Sequence, residues 1–186
     1  DFLAFTRYTK PDYDPGWFGK DVHEALDQFL ADVIERKSPR LMLCAPPRHG
    51  KSEASSRRFP AYALGRYPWL EIILWSYAAT LAEDMNEDVQ KIIDSEAYQT
   101  IFPHVRIPGP GRGAAGVKRN RQETHIIGED GKLRAAGVGG GVTGKGAHIL
   151  AIDDPFQDDQ DSGSQTQRDK VFNRYVSTAY TRLAPG

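Results

Sequence analysis

The sequence predicts an α/β fold, a mostly parallel central sheet flanked by helices. Three short apolar runs of buried-strand type, Leu41–Ala45, Ile72–Trp75 and His148–Ile152, carry this reading. Helical patterns alternate with them, and such alternation builds parallel sheets whose ligands sit at the strands' carboxyl ends. Two of the runs lead straight into segments rich in functional side chains, Pro46–Ser52 and Asp153–Pro155.

Composition agrees with a single domain. The 186 residues carry 24 Lys and Arg against 25 Asp and Glu, a net charge of −1, and 39% apolar side chains. That length supports one well-buried core and is too short for two large ones. The 18 glycines and 12 prolines follow no Gly-X-Y period and point to long functional loops. A single cysteine, Cys44, excludes an internal disulfide and a Cys-rich zinc module, and fits a reducing compartment. The apolar runs fall far short of a membrane span, and no basic segment followed by an apolar one opens the sequence, so secretion has no support. The near-neutral balance excludes a globally basic nucleic-acid binder. Any DNA contact must come from a local patch or from several copies assembled together.

In chain order, residues 1–20, with Pro11, Pro15 and Gly16 among aromatics, read as an irregular arm, and residues 21–186 as the domain. Asp21–Arg36 spaces Val22, Leu26, Phe29, Leu30, Val33 and Ile34 as one helical face, which Ser38-Pro39 ends. Leu41–Ala45 is the first strand, with Cys44 inside it as a small buried residue. A helix follows from Gly50 to about Leu64, in which Pro60 is tolerable only as a kink or break. Glu71–Ser76 is the second strand, with Trp75 and Tyr77 as core candidates, and Thr80–Ile93 is a helix with acids on its outer face. Thr100–Gly116 has little periodicity and reads as a loop. Thr124–Ile127 and Leu133–Ala136 read as short strands around a turn at Gly128–Gly131. A glycine-rich stretch, Gly137–Gly146, precedes the strand His148–Ile152, and Thr166–Tyr180 reads as the last helix.

The segment Ala45-Pro46-Pro47-Arg48-His49-Gly50-Lys51-Ser52, set between strand and helix, has the context of a phosphate-binding loop. Backbone N–H groups at a helix N-terminus face phosphate oxygens, and the helix dipole favours their charge. Lys51 would reach the β- and γ-phosphates of ATP, the Ser52 hydroxyl would ligate Mg2+, and Gly50 leaves room for close approach. Ala45 stands where glycine is usual, and Pro46 and Pro47 remove two donors, so the cradle rests on Pro47 to Glu53, from Arg48 onward above all. His49 reads as a loop-conformation residue rather than a base. The bland alternative is a strand–turn–helix with a surface lysine.

A run of four apolar residues ending in Asp153-Asp154 gives a Walker B pattern. Asp153 could hold Mg2+ through water, and Asp154 could orient or deprotonate the attacking water, a task usually given to the longer glutamate. The alternative is an acidic loop opening after a buried strand. A strand between the two motifs is the arrangement of additional-strand, RecA-like P-loop ATPases.

Taken together, Arg40–Ser52, Ile72–Val89, Gly137–Gly146, Ile149–Pro155 and Thr181–Gly186 resemble, in the same order, the tailed-bacteriophage terminase large subunits. The resemblance runs from about Trp17 onward. It implies an Mg-dependent ATPase that drives double-stranded DNA into a procapsid through the portal protein. It also implies a ring of copies on the portal, a small terminase subunit as partner, and a location in the host cytoplasm at the portal vertex, with no membrane. The nuclease domain and the coupling strand of that family are not expected within these residues. Arg48 matches an arginine taken to stabilise the γ-phosphate; a salt bridge or a solvent-facing arginine is the alternative. Lys145 stands where relatives often have a trans-acting arginine, although lysine lacks the bidentate fork. Trp17, Phe18 and His23 fall where relatives contact adenine; packing onto the domain is the competing reading. Arg112, Lys118, Arg119 and Arg121 form the one basic cluster, a DNA contact or a solvated loop.

The leading expectation is therefore a DNA-packaging ATPase domain, with Lys51, Ser52 and Asp153 holding Mg-ATP, Asp154 positioning water and Arg48 stabilising the transition state. A helicase-like translocase and a nucleotide-binding assembly module with negligible turnover are the alternatives.

Overall fold

The computed structural model describes residues 1–46, 49–110, 116–140, 146–157 and 162–183. The order of elements is α1 (Phe2–Thr9), α2 (Gly16–Ile34), a π-helical stretch (Glu53–Arg58) continuing into α3 (Phe59–Arg66), β1 (Glu71–Ser76), α4 (Ala79–Asp94) and α5 (Glu96–Ile101). Then come β2 (Glu123–His125), β3 (Lys132–Gly137), β4 (Ile149–Ile152) and α6 (Gln165–Arg174).

The four strands form one sheet in the order β2-β3-β1-β4. β1 pairs in parallel with β3 on one side and β4 on the other, with Ile72 opposite both Leu133 and Ile149. β2 runs antiparallel to β3 around the turn at Gly128, so the sheet is mixed but mainly parallel. The period of two along β1 divides its side chains between two packing layers. Ile72 and Leu74 join a large core built with Phe2, Phe5, Leu26, Phe59, Leu64, Val89, Tyr98 and Leu133, whereas Ile73 and Trp75 meet Ala147, Ala136, Val138, Leu150 and Tyr175 on the other face. β3 ends on Gly137, where a Cβ would come within 2.7 Å of the Ala79 nitrogen. The first turn of α4 therefore lies directly against the strand.

Four expectations are revised. The first twenty residues are not an irregular arm: α1 is a helix capped by Asp1, whose carboxylate accepts the Ala4 N–H at 2.7 Å, and α2 already begins at Gly16. The aromatic residues that hid the helical pattern are its anchors, since Phe2 and Phe5 are buried against Tyr62 and Tyr98. Leu41–Ala45 is not a strand. It joins no ladder, Met42 is 86% exposed and Cys44 is exposed rather than buried. Among the described residues the run pairs with no strand, and β4 remains an edge of the sheet, with the isolated bridge Ala147 to Leu183 just before it.

Pro60 does not break its helix; it falls where the turn changes from π to α. Residues 51–66 run without interruption, because the π-helical turns before Pro60 shift the bonding to five residues back, as in Phe59 N–H to Ala54 C=O. That wider turn relieves the clash between the proline ring and the preceding turn. Tyr77, unlike Trp75, faces outward. β1, α4, the β2–β3 hairpin and β4 lie where the periodicity puts them, within a few residues, and α5 is an added short helix before the loop.

Candidate phosphate-loop site

Gly50 has a φ of +75°, a conformation that disfavours any Cβ, and its carbonyl accepts the Ala54 N–H at 3.0 Å to open the helix. Lys51, on the first helical turn, extends toward the end of β4. Its Nζ donates to Asp154 Oδ1 at 3.0 Å and lies 3.7 Å from Asp153 Oδ1. Two motifs far apart in sequence thus meet at one ammonium group. Burial pulls the Lys51 ammonium down, but the hydrogen bond to Asp154 and the charges of Asp154 and Asp153 outweigh it, and the net shift is upward. Lys51 therefore stays cationic.

The two aspartates are held differently. Asp153 is 4% exposed, its N–H bonds Trp75 C=O at 2.9 Å, and its Oδ2 accepts the Ser56 hydroxyl at 2.7 Å. Asp154 is exposed at its side chain and fixed through its backbone: its carbonyl accepts the Tyr77 N–H at 3.1 Å and the Ser76 hydroxyl at 3.3 Å. It sits at φ +44°, a left-handed conformation that non-glycine residues adopt at a cost.

The helix after the loop is braced from two sides. Arg57 donates to Asp88 on α4 at 2.8 Å, and Arg58 donates to Glu53 at 2.9 Å and to the Thr9 carbonyl at 3.1 Å. Glu53 is thereby engaged through its side chain. Tyr13 lies over the loop: a Cβ on Gly50 would be 3.8 Å from its hydroxyl oxygen. Burial, and then the charge of Glu53, raise the Tyr13 phenol.

Among the expected nucleotide contacts, Trp17 is 78% exposed and meets Phe18 edge to face. His23 is structural. It is 1% exposed, stacked on Phe2, with Nδ1 donating to Gly19 C=O at 2.6 Å and Nε2 within 3.1 Å of the Thr6 hydroxyl. Burial lowers its pKa, so the neutral ring is the native form and both nitrogens are already used. His49 is exposed beside Gly50. Pro47, Arg48, Arg112 and Lys145 lie outside the described residues.

The basic cluster is internally compensated at its three described positions. Lys118 donates to Glu123 at 3.0 Å, Arg119 donates to Asp94, Gln90 and the Pro108 carbonyl, and Arg121 pairs with Glu83, Asp84 and Glu87. Acids of α4, namely Glu83, Asp84, Glu87 and Asp94, receive two of these cations, Arg119 and Arg121. Sequence reasoning missed Tyr13, Ser56 and Ser76. Small hydroxyls at ordinary helix and strand positions carry no pattern, although Ser56 falls one turn after Ser52, a spacing that could have flagged it.

A family described as "Terminase large subunit, T4likevirus-type, N-terminal" matches residues 42–185, more than half the chain. The chain belongs to this family. That match links it to phage DNA packaging and takes in Lys51, Asp153 and Asp154. No curated protein matches the chain. Among the described residues, no helix is long and apolar enough to cross a membrane.

Magnesium takes hard oxygen ligands, typically one or two carboxylates with phosphates and water. The Ser52 hydroxyl, one residue from Lys51, and Asp153 Oδ1, facing the same ammonium, are donors of that kind. A cation and a helix N-terminus beside them suit the phosphates. The residues present therefore fit an Mg-nucleotide.

Proposed function

We propose that this terminase segment is a P-loop ATPase of the additional-strand class, which hydrolyses Mg-ATP to move double-stranded DNA into a procapsid. The observation that carries the reading is the convergence of Lys51 with Asp153 and Asp154. In a ligand-free site these carboxylates are natural counter-ions for a lysine that would otherwise hold phosphate. Lys51 leaves them for the β- and γ-phosphates, whose charge it offsets. Ser52 and Asp153 would hold Mg2+, which when bound neutralises phosphate charge. Asp154, released from Lys51, orients the attacking water and accepts its proton, while the backbone bonds from Ser76 and Tyr77 keep it in place. Arg48 and, from a neighbouring copy, Lys145 would add positive charge at the transferred group. Trp17 and Phe18 remain the aromatic surface offered to adenine. The portal protein, the small terminase subunit and further copies in a ring are the proposed partners, and the portal vertex in the host cytoplasm the proposed place of work. The ion pairs made by Lys118, Arg119 and Arg121 argue against this loop as the main DNA grip.

Calorimetry with a slowly hydrolysed ATP analogue, alongside phosphate release, tests the reading. Lys51→Ala should weaken nucleotide binding at least about tenfold, or roughly 1.4 kcal/mol, and Asp154→Asn should abolish turnover while binding persists. Unchanged affinity in Lys51→Ala would remove the phosphate-loop assignment. Binding without turnover in the unaltered chain would favour an assembly module.

A further inference from the structure

We propose that Ser56 is a positioning residue that presents Asp153 to a divalent cation, a role that rests on the nucleotide reading above. Ser56 is 1% exposed, too deep to touch a nucleotide, and its hydroxyl donates to Asp153 Oδ2 at 2.7 Å. The other oxygen, Oδ1, faces Lys51 at 3.7 Å. The two partners differ in kind. Lys51 cancels the charge of Asp153 and departs when it engages phosphate. Ser56 supplies a neutral donor that satisfies one buried lone pair and leaves the full negative charge on the carboxylate.

A buried carboxylate stripped of hydrogen bonds is costly and free to rotate. With Oδ2 pinned by Ser56, rotation is blocked and Oδ1 is the oxygen left for the metal. Outer-shell partners of metal ligands act in this way, and losing them weakens metal binding by roughly 10–100-fold. The π-helical stretch Glu53–Arg58 is what aims the hydroxyl. It sends Ser55 back to the Lys51 carbonyl at 2.9 Å, Ser56 to Asp153, and Arg57 outward to Asp88. Ser52 on the first turn would hold the metal; Ser56 on the second holds the carboxylate.

The test measures Mn2+ affinity by electron paramagnetic resonance, with the 186-residue chain saturated with a slowly hydrolysed ATP analogue. Analogue affinity in EDTA is measured in parallel. Ser56→Ala, and Ser56→Cys, which keeps the shape but donates poorly, should each lower Mn2+ affinity about tenfold. Analogue affinity in EDTA should stay within about twofold, because phosphate contacts are untouched. Ser56→Thr, which keeps the hydroxyl, should retain most of the Mn2+ affinity. Wild-type Mn2+ affinity in Ser56→Cys would overturn the role of Ser56 alone, and so would equal losses with and without metal, which would indicate loop packing. Failure of the unaltered chain to bind the analogue at all would overturn the nucleotide reading and this proposal with it.

Discussion

Ile72–Trp75 and Leu41–Ala45 are both short, apolar runs flanked by loops, yet they occupy opposite environments. The first is the middle of the sheet, with a parallel partner on each side and its side chains buried in two layers. The second is outside any ladder, with Leu41 and Met42 exposed, and Arg40 just before it is bound to the Tyr180 hydroxyl at 2.8 Å. The difference teaches that apolar content creates a demand for burial, while backbone pairing, which composition does not encode, makes a strand of the run. Folding free energy is therefore concentrated around β1, and the approach to the phosphate loop adds little to it.

The strongest way to break this contrast is to truncate both runs. Leu74→Ala, at a position 1% exposed, should cost about 2–5 kcal/mol in urea denaturation. Met42→Ala should change stability by no more than about 0.5 kcal/mol. Similar losses in both would mean that Leu41–Ala45 is packed after all.

A finer probe is Cys44, the single thiol of the chain. Because it is exposed, a thiol reagent should label the folded protein within about tenfold of the rate for the urea-unfolded chain. Strong protection would place Cys44 inside a strand. Adding the ATP analogue sharpens the comparison, since a nucleotide held at Gly50 and Lys51 should shield the nearby thiol and slow the labelling.

A smaller effect involves acid and separates the helical layer from the loop. Burial lowers the His23 pKa, so the unfolded chain binds its proton more readily than the folded one. Stability from the neutral ring is present above the unfolded pKa, near 6.5, and declines as pH falls below it. Denaturation midpoints should drop on acidification from pH 7 toward pH 5, and His23→Gln should flatten that slope. An unchanged slope would detach His23 from the acid response.

The sequence made the sheet legible wherever an apolar run was also paired. β1, β3 and β4 announce themselves through Ile72–Trp75, Leu133 and Ile149–Ile152, and α4 through its spacing. The failures share one cause, namely that local pattern says nothing about partners. Leu41–Ala45 looked like a strand because its composition suits one, and α1 looked like an arm because its aromatics crowd a short segment just before Pro11 and Pro15. The two segments that bring Lys51 to Asp153 and Asp154 stood out in the sequence because their residue types and spacings are those a phosphate loop would need. The pairing of Arg119 and Arg121 with α4 was not, since charge complementarity between a loop and a distant helix leaves no periodic trace. His23 illustrates the same limit: an imidazole near a candidate adenine contact turned out to bind a backbone carbonyl and a threonine.

On the proposed ATPase reading, the left-handed backbone at Asp154 sets folding and function at odds. Aspartate tolerates such a conformation better than most residues, but glycine tolerates it best. A population of variants selected only for surviving heat would accumulate glycine at this position, gaining robustness while discarding the carboxylate. One selected for work would keep the aspartate and accept a less durable fold. Position 154 is thus a place where breeding for toughness would erase the carboxylate that the proposed reaction needs.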